Sequence, residues 1–340
     1  MVTWTTAVDA DRAWDEQLEQ AGDAAVFQSS RWTAFKRGEG WEPFRAVARH
    51  ADGRTAAMVQ FLIKRMPLGV AMAWAPGGPA FQFDRNDDDP ADLDWSGLLS
   101  LLTARVPRVL ARVDSYVPQR RPPASPFGPL FRRPQVRIGS GVSIRFDIAA
   151  GEAGFVAGMT SKHRYYLRKG LAAPLRWEAG ASDRDVAALA ALHREMSASK
   201  NLKTAAMSED RCRTLRDAMG ADGITIVTGY RDDRPITSCL TLDFAGRAFY
   251  YAAATGAEGR KLSAAYAMLP RLVAVLHAKG IRHLDFGGIA PAFADRAGVD
   301  HFKKGFGGEI VTYLGEWEAA SLPLLAPVAG LLMKWRGVAV

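Results

Sequence analysis

Apolar and polar positions recur along the chain with two periods, and the places where the period changes divide it into elements. Thr3–Val8 reads as a strand, Asp11–Ala21 as a polar helix, and Ser30–Arg37 as a short helix with Trp32 and Phe35 on one face. Phe44–Arg49, Thr55–Lys64 and Val70–Ala75 read as strands, the first two joined by an Ala-Asp-Gly turn and the last two separated by Pro67 and Gly69. Acidic Asp84–Asp92 reads as a surface loop that leads into a helix over about Leu93–Val106 and a strand at Arg108–Asp114. Pro118–Pro134, with Arg120, Arg121, Arg132 and Arg133 around Phe127 and Phe131, is expected to be a mobile binding loop or a connector.

The second half repeats this order of elements without repeating the residues. Ser182 with Asp185 opens a helix to about Ser197 whose stripe is Val186, Leu189, Leu192 and Met196, and a second helix covers Glu209–Met219. Strands follow at Ile224–Thr228, Ile236–Asp243 and Arg247–Ala254, then a helix from Leu262 to Lys279 containing Pro270, then a strand at Ile281–Phe286. The crossover from Ala254 to Phe286 has the length of a βαβ unit, so its two strands should be parallel and the connection right-handed. A three-strand meander feeding one such crossover resembles the GNAT acyltransferase arrangement.

A length of 340 residues suits two domains, and 48% hydrophobic with 24% charged residues suits folded cores. The excess of basic residues, +8 overall with a pI near 9.6, suits polyanionic partners such as tRNA, pyrophosphate or anionic lipid. Cys212 and Cys239 form no CxxC pair and no cluster with His, so neither a disulfide framework nor a zinc site is indicated, and a reducing cytoplasm is the expected compartment. The polar, acidic Met1–Gln20 argues against a signal peptide, and the nearest approach to a membrane span, Leu322–Met333, is too short. Phosphate-loop, dinucleotide, serine-hydrolase, zinc-protease and zinc-deaminase motifs are all missing from the sequence. The six histidines lack spaced partners and read as surface or satisfied core residues.

Two collinear sets of short motifs stand out. Phe27-Gln28-Ser29, Trp32, Phe35-Lys36 and Gly40-Trp41 lie near the start. Asp285-Phe286-Gly287-Gly288, Gly298-Val299, Phe302-Lys303-Lys304-Gly305-Phe306-Gly307-Gly308 and a strand with Tyr313 and Trp317 lie toward the end. Between them, Met159–Lys169 is a basic helix. In this order the motifs resemble the FemA/FemB/FemX (FemAB) aminoacyltransferases over Phe27 to Trp317.

That resemblance implies an α/β (α+β) fold of two tandem GNAT-like domains, each a mixed and mostly antiparallel sheet flanked by helices. They are expected at 1–150, with 318–340 returning to pack on this first domain, and at 151–317. It further implies an aminoacyl-tRNA-dependent transferase with a cleft where an aminoacyl ester meets an amine. Such an ester is already activated, so the protein need only position the amine, stabilise an oxyanion and accept a proton, with no nucleophilic Ser or Cys and no cofactor or metal.

The resemblance carries over residue by residue. Lys36, on the short helix with Trp32, matches the family's acceptor-phosphate lysine; apart from the resemblance it reads as a solvated helix lysine. Lys303 matches the lysine of the Phe-Lys-x-x-Phe segment, which Phe302 and Phe306 would anchor, and its ammonium would hold the oxyanion or the donor's terminal phosphate. Lys162, Arg164, Arg168 and Lys169 suit an RNA backbone, a solvated basic face being the equal alternative, and Tyr165 and Tyr166 lie among them. Lys200 and Lys203 fall loosely where the family has a basic substrate contact. Asp114 ends its strand where the family often has Asp-Pro, here followed by Ser115, and is the candidate base beside substrate-assisted proton transfer. Asp285 is expected to fix its turn.

The rival reading is an acyl-CoA-dependent GNAT with its pyrophosphate on backbone N–H groups at the N-terminus of the 262–279 helix, for which the preceding Gly256–Lys261, with Arg260 and Lys261 as candidate phosphate contacts, is only a partial fit in its glycine spacing. A non-catalytic module that binds tRNA or anionic lipid is the other. The acceptor is expected to be a peptidoglycan precursor or a small metabolite amine, phosphate- or lipid-linked, and the protein a monomer in the cytoplasm or at the inner membrane face. Leu322–Met333 with Lys334, Trp335 and Arg336 is expected to pack on the first domain, with a peripheral membrane contact as the alternative.

Overall fold

The computed structural model describes residues 2–8, 10–82, 90–119, 126–200, 207–289 and 297–335. The chain divides into two compact units, Met1–Val142 with Val311–Val340, and Ser143–Ile310. The sequence places the divisions at 150/151 and 317/318. The pairing of the strands at Val142–Asp147 and Glu309–Ala320 accounts for the difference, since the first joins the sheet of the second unit and the second that of the first.

The first unit runs β1 (Thr3–Thr6), α1 (Asp11–Glu19), α2 (Ser30–Gly38), β2 (Glu42–Arg49), β3 (Thr55–Arg65), β4 (Val70–Pro76), β5 (Ala80–Phe81), α3 (Trp95–Arg105) and β6 (Arg108–Pro118). The second runs β7 (Val142–Asp147), α4 (Gly151–Gly158), α5 (Ser161–Leu171), β8 (Arg176–Gly180), α6 (Asp183–Lys200), α7 (Glu209–Met219), β9 (Ile224–Arg231), β10 (Arg234–Phe244), β11 (Arg247–Thr255), α8 (Ala257–Lys261), α9 (Ala264–Ala278), β12 (His283–Gly288) and α10 (Ala297–Lys304). β13 (Glu309–Ala320) and α11 (Leu325–Trp335) complete the first unit.

Each unit is a mixed α/β layer structure of the GNAT kind. In the first, the order is β1-β2-β3-β4-β6-β13, with β4 and β6 parallel across the α3 crossover. In the second it is β7-β12-β11-β10-β9-β8, with β11 and β12 parallel across α9. These crossovers are the ones that the 3.6-residue pattern between two strand patterns implies. The helix expected from Leu262 to Lys279 is α9, which begins after Ser263 with its left-handed φ of 56° and keeps Pro270 inside it, while the short α8 before it was not expected.

The first core gathers Trp95, Phe127, Phe131 and Trp317 with the small residues of β2–β4. Phe127 and Phe131 pack on Trp95 at centroid distances of 5.0 and 6.0 Å. The described part of the expected mobile loop is therefore anchored, because burying each ring is favourable by roughly 2–3 kcal/mol and outweighs the Pro/Arg composition that suggested a connector. The strand at β7 was not expected, although Val142, Ile144 and Phe146 alternate as a half-buried strand does.

Candidate functional site

The Phe-Lys-x-x-Phe segment is built into the second unit by aromatic packing. Phe306 is buried and lies 4.8 Å from the His163 ring, 5.8 Å from Phe155 and 5.8 Å from Phe286. Phe302 packs on Tyr266 at 5.2 Å. The segment docks on the start of the basic helix α5: Thr160 caps α5 through the His163 N–H, and the Thr160 N–H donates to the Gly305 carbonyl at 3.0 Å. His163 Nε2 lies 2.9 Å from the Phe302 carbonyl, and since a carbonyl only accepts, Nε2 carries the proton and Nδ1 faces the Thr160 hydroxyl. Burial, the largest influence, lowers the His163 pKa, so the ring is a neutral clamp. A Cβ on Gly305 would overlap this ring, which is why a glycine separates Lys304 from Phe306.

The clamp holds Lys303 half-buried, with Nζ donating to the Gly288 carbonyl at 2.9 Å and lying 5.7 Å from the Phe286 ring centroid. Asp285 fixes the neighbouring turn by accepting from the Gly287 N–H at 2.8 Å and the Ser143 hydroxyl at 2.5 Å. Lys162, Arg164, Arg168 and Lys169 are exposed, while His163, Leu167 and Gly170 form the buried stripe of α5. Arg164 also reaches back to the Met159 carbonyl at 2.5 Å. Two motifs far apart in sequence, the basic helix and the Phe302–Phe306 segment, are thus one packed structure.

Arg260 and Lys261 lie at the end of α8, both exposed, Arg260 donating to the Thr255 carbonyl at 2.7 Å. At the start of α8 the Ala257 N–H donates to the Glu195 carboxylate at 2.9 Å. An acidic side chain thus occupies the start of α8, within the Gly256–Lys261 segment that the acyl-CoA reading would use beside a pyrophosphate. Lys203 lies outside the described residues, and of Lys200 only the backbone, in α6, is described.

In the first unit Lys36 is buried rather than solvated. Its ammonium pairs with Glu39 and lies 5.7, 5.8 and 5.4 Å from the ring centroids of Trp32, Phe35 and Trp41. Lys64, which sequence reasoning missed, donates to the Glu39 carbonyl at 2.5 Å and lies 5.8 Å from Trp41, so two ammonium groups and one carboxylate share an aromatic nook. Its position at the end of a strand pattern carried no signal beyond that of an ordinary surface lysine. From Trp32 the aromatic contacts continue to Phe27 at 4.9 Å, Tyr116 at 5.9 Å and Tyr313 at 5.4 Å, near the end of β6.

Asp114 is buried in β6, cross-strand from Glu316 of β13, and Arg112 is cross-strand from Glu318. Arg112 is wholly buried and bridges Glu316 at 3.3 Å and Glu318 at 2.5 Å, while Glu316 also accepts from the N–H groups of Ile138, at 2.6 Å, and Gly139. Three buried carboxylates therefore face one guanidinium in this cluster. Burial and then the charge of Glu316 push Asp114 up to about 7, against the pull of Arg112, and burial likewise raises Glu316. A bulge in β13 between Tyr313 and Gly315 falls beside Ser115. Arg112 and Glu316 were missed because their pairing exists only through the β6–β13 register. Both cysteines are buried thiols, pushed up to about 11 at Cys212 and about 12 at Cys239, which removes them as nucleophiles. No cluster of metal-ligating side chains occurs among the described residues.

Residues 175–334 match the FemAB family model. Among solved structures, the chain is similar to the crystal structure of FemX at 14% identity, covering 97% of this chain and 100% of that one with a TM-score of 0.76. It is also similar to a tandem GNAT protein from the clavulanic acid biosynthesis pathway, at 12% identity over 95% of this chain and 99% of that one with a TM-score of 0.54. L-PGS from Bacillus licheniformis is similar at 12% identity over 96% of each chain, with a TM-score of 0.54. No curated protein sequence matches the chain.

Proposed function

Because residues 175–334 match the FemAB family model and the chain shares the fold of FemX, we propose that it is a FemAB-type enzyme that transfers an aminoacyl group from aminoacyl-tRNA to an amine acceptor, forming an amide. The observation that carries this reading is the clamped lysine. Lys303 sits on a segment pinned by Phe302, Phe306 and His163 to a helix whose exposed face is basic, so a fixed ammonium and an RNA-compatible surface belong to one rigid structure.

In this reading the acceptor nitrogen attacks the ester carbonyl carbon. The C–N bond forms, the carbonyl oxygen takes the negative charge, and collapse breaks the C–O bond to the ribose, whose oxygen leaves with a proton. Lys303 stabilises the oxyanion or the donor's terminal phosphate. Asp114, poised near neutrality, takes the proton that the amine loses. Lys36, with Trp32 and the newly seen Lys64, meets a phosphate on the acceptor, for which Lys36 exchanges its contact with Glu39. Lys162, Arg164, Arg168 and Lys169 meet the RNA backbone. A peptidoglycan precursor is the first acceptor to test. The Glu195 carboxylate at the start of α8 disfavours the acyl-CoA alternative, since it would repel a pyrophosphate there.

The test is transfer of labelled amino acids from charged total tRNA to muropeptide precursors or a metabolite extract. Transfer should be RNase-sensitive, about 100-fold slower in Lys303→Ala, and raised in acceptor KM in Lys36→Ala. Turnover with an acyl-CoA and none with any charged tRNA would overturn the reading, and tRNA binding without transfer to any acceptor would leave only a binding module.

A further inference from the structure

The last helix of the first unit is turned the opposite way from an ordinary surface helix. Val328, Leu331, Leu332 and Trp335 recur at helical spacing on one side of α11, with Leu324 just before it, and they face solvent, with Leu324 74%, Leu331 68% and Trp335 82% exposed. The inward side is held by small and local contacts: Gly330 is buried against Gln135, and the Met333 sulfur lies 3.7 Å from Nη1 of Arg112. The helix thus packs on its own unit yet leaves its apolar stripe uncovered.

The charge on α11 and on the segment that it packs against has one sign. Arg132, Arg137 and Lys334 are exposed, the first two on the segment that carries Gln135. Neither 126–142 nor 319–340 contains a single Asp or Glu. Leu130 and Ile138 add exposed apolar surface on the same segment. A partner protein recognised by such a face needs apolar contacts and carboxylates in register. A bilayer rich in anionic headgroups supplies both without register, apolar depth for Leu and Trp and negative charge for the flanking cations. No helix among the described residues is long and apolar enough to cross a membrane, so the helix would lie in the interface.

We propose that α11 and the segment around Arg132–Ile138 form a docking face for the surface of an anionic phospholipid bilayer. This holds the first unit at the membrane whatever the acceptor of the transfer reaction is.

Co-sedimentation of the full chain with phosphatidylcholine–phosphatidylglycerol vesicles, against pure phosphatidylcholine, tests it without any turnover. The chain should partition onto the mixed vesicles and be released by salt. Leu331→Glu with Trp335→Glu, both at exposed positions, should weaken partitioning by about tenfold or more at unchanged thermal stability. Arg132→Ala with Arg137→Ala and Lys334→Ala should remove the preference for phosphatidylglycerol. A chain that stays in the supernatant, or variants that bind as the wild type does, would overturn the proposal. So would a dimer that the Leu331→Glu, Trp335→Glu variant dissociates in the absence of lipid, since the stripe would then be covered by a second copy.

Discussion

Asp114 shows how one residue's position sets its chemistry. A strand-end carboxylate in water is ionised far below neutrality, but here burial and the facing Glu316 raise it to about 7. Between its ordinary value and about 7 the folded chain binds a proton that the unfolded chain has already lost. The contribution of Asp114 to stability is therefore most favourable below the ordinary carboxylate range and declines as pH rises through about 7. Asp114→Asn should flatten that decline, read as the difference in melting temperature between wild type and variant over a pH series from below the ordinary carboxylate range to above about 7. In the proposed reading the same substitution should abolish a rise in transfer rate through about pH 7, as a pH–rate profile would measure.

Among elements, the pairing of β6 with β13 carries the most consequence. It joins residues from distant parts of the chain and buries Arg112 between Glu316 and Glu318. A buried pair of this kind contributes little net stability, yet removing one partner leaves charge stranded. Arg112→Met should destabilise the chain by about 3–5 kcal/mol in urea unfolding, and adding Glu316→Gln and Glu318→Gln should recover most of that loss. The clamp of α5 on the Phe302–Phe306 segment is a different kind of joint, made of ring packing and backbone acceptors with no charge to strand.

For the whole molecule, an excess of +8 acts at long range and is screened by salt. In the proposed reading its useful share lies on the exposed face of α5. Arg164→Ala with Arg168→Ala should weaken tRNA binding across all tRNA species and reduce the slope of log affinity against log salt by about 1–2, as filter binding over a salt series would measure. Substitution of Lys36 should leave that slope unchanged, because Lys36 is buried and paired with Glu39.

Much of this was decided locally and was therefore legible in the sequence. The apolar runs of β2–β4 and β9–β11 with the turn residues between them, the stripe of α6 and the two crossovers follow from local sequence pattern, which needs only neighbouring residues. The Phe302–Phe306 segment was legible for the same reason: its aromatics and glycines stand at fixed short spacing. Only tertiary structure decided the rest. Burial turned the Phe127–Phe131 loop into core and Lys36 from a surface cation into a caged one. Strand register brought Arg112, Asp114 and Glu316 together, and helix docking set which side of α11 meets solvent. These outcomes depend on which distant surfaces meet, and the environment that shifts a carboxylate or exposes a leucine exists only once they have met.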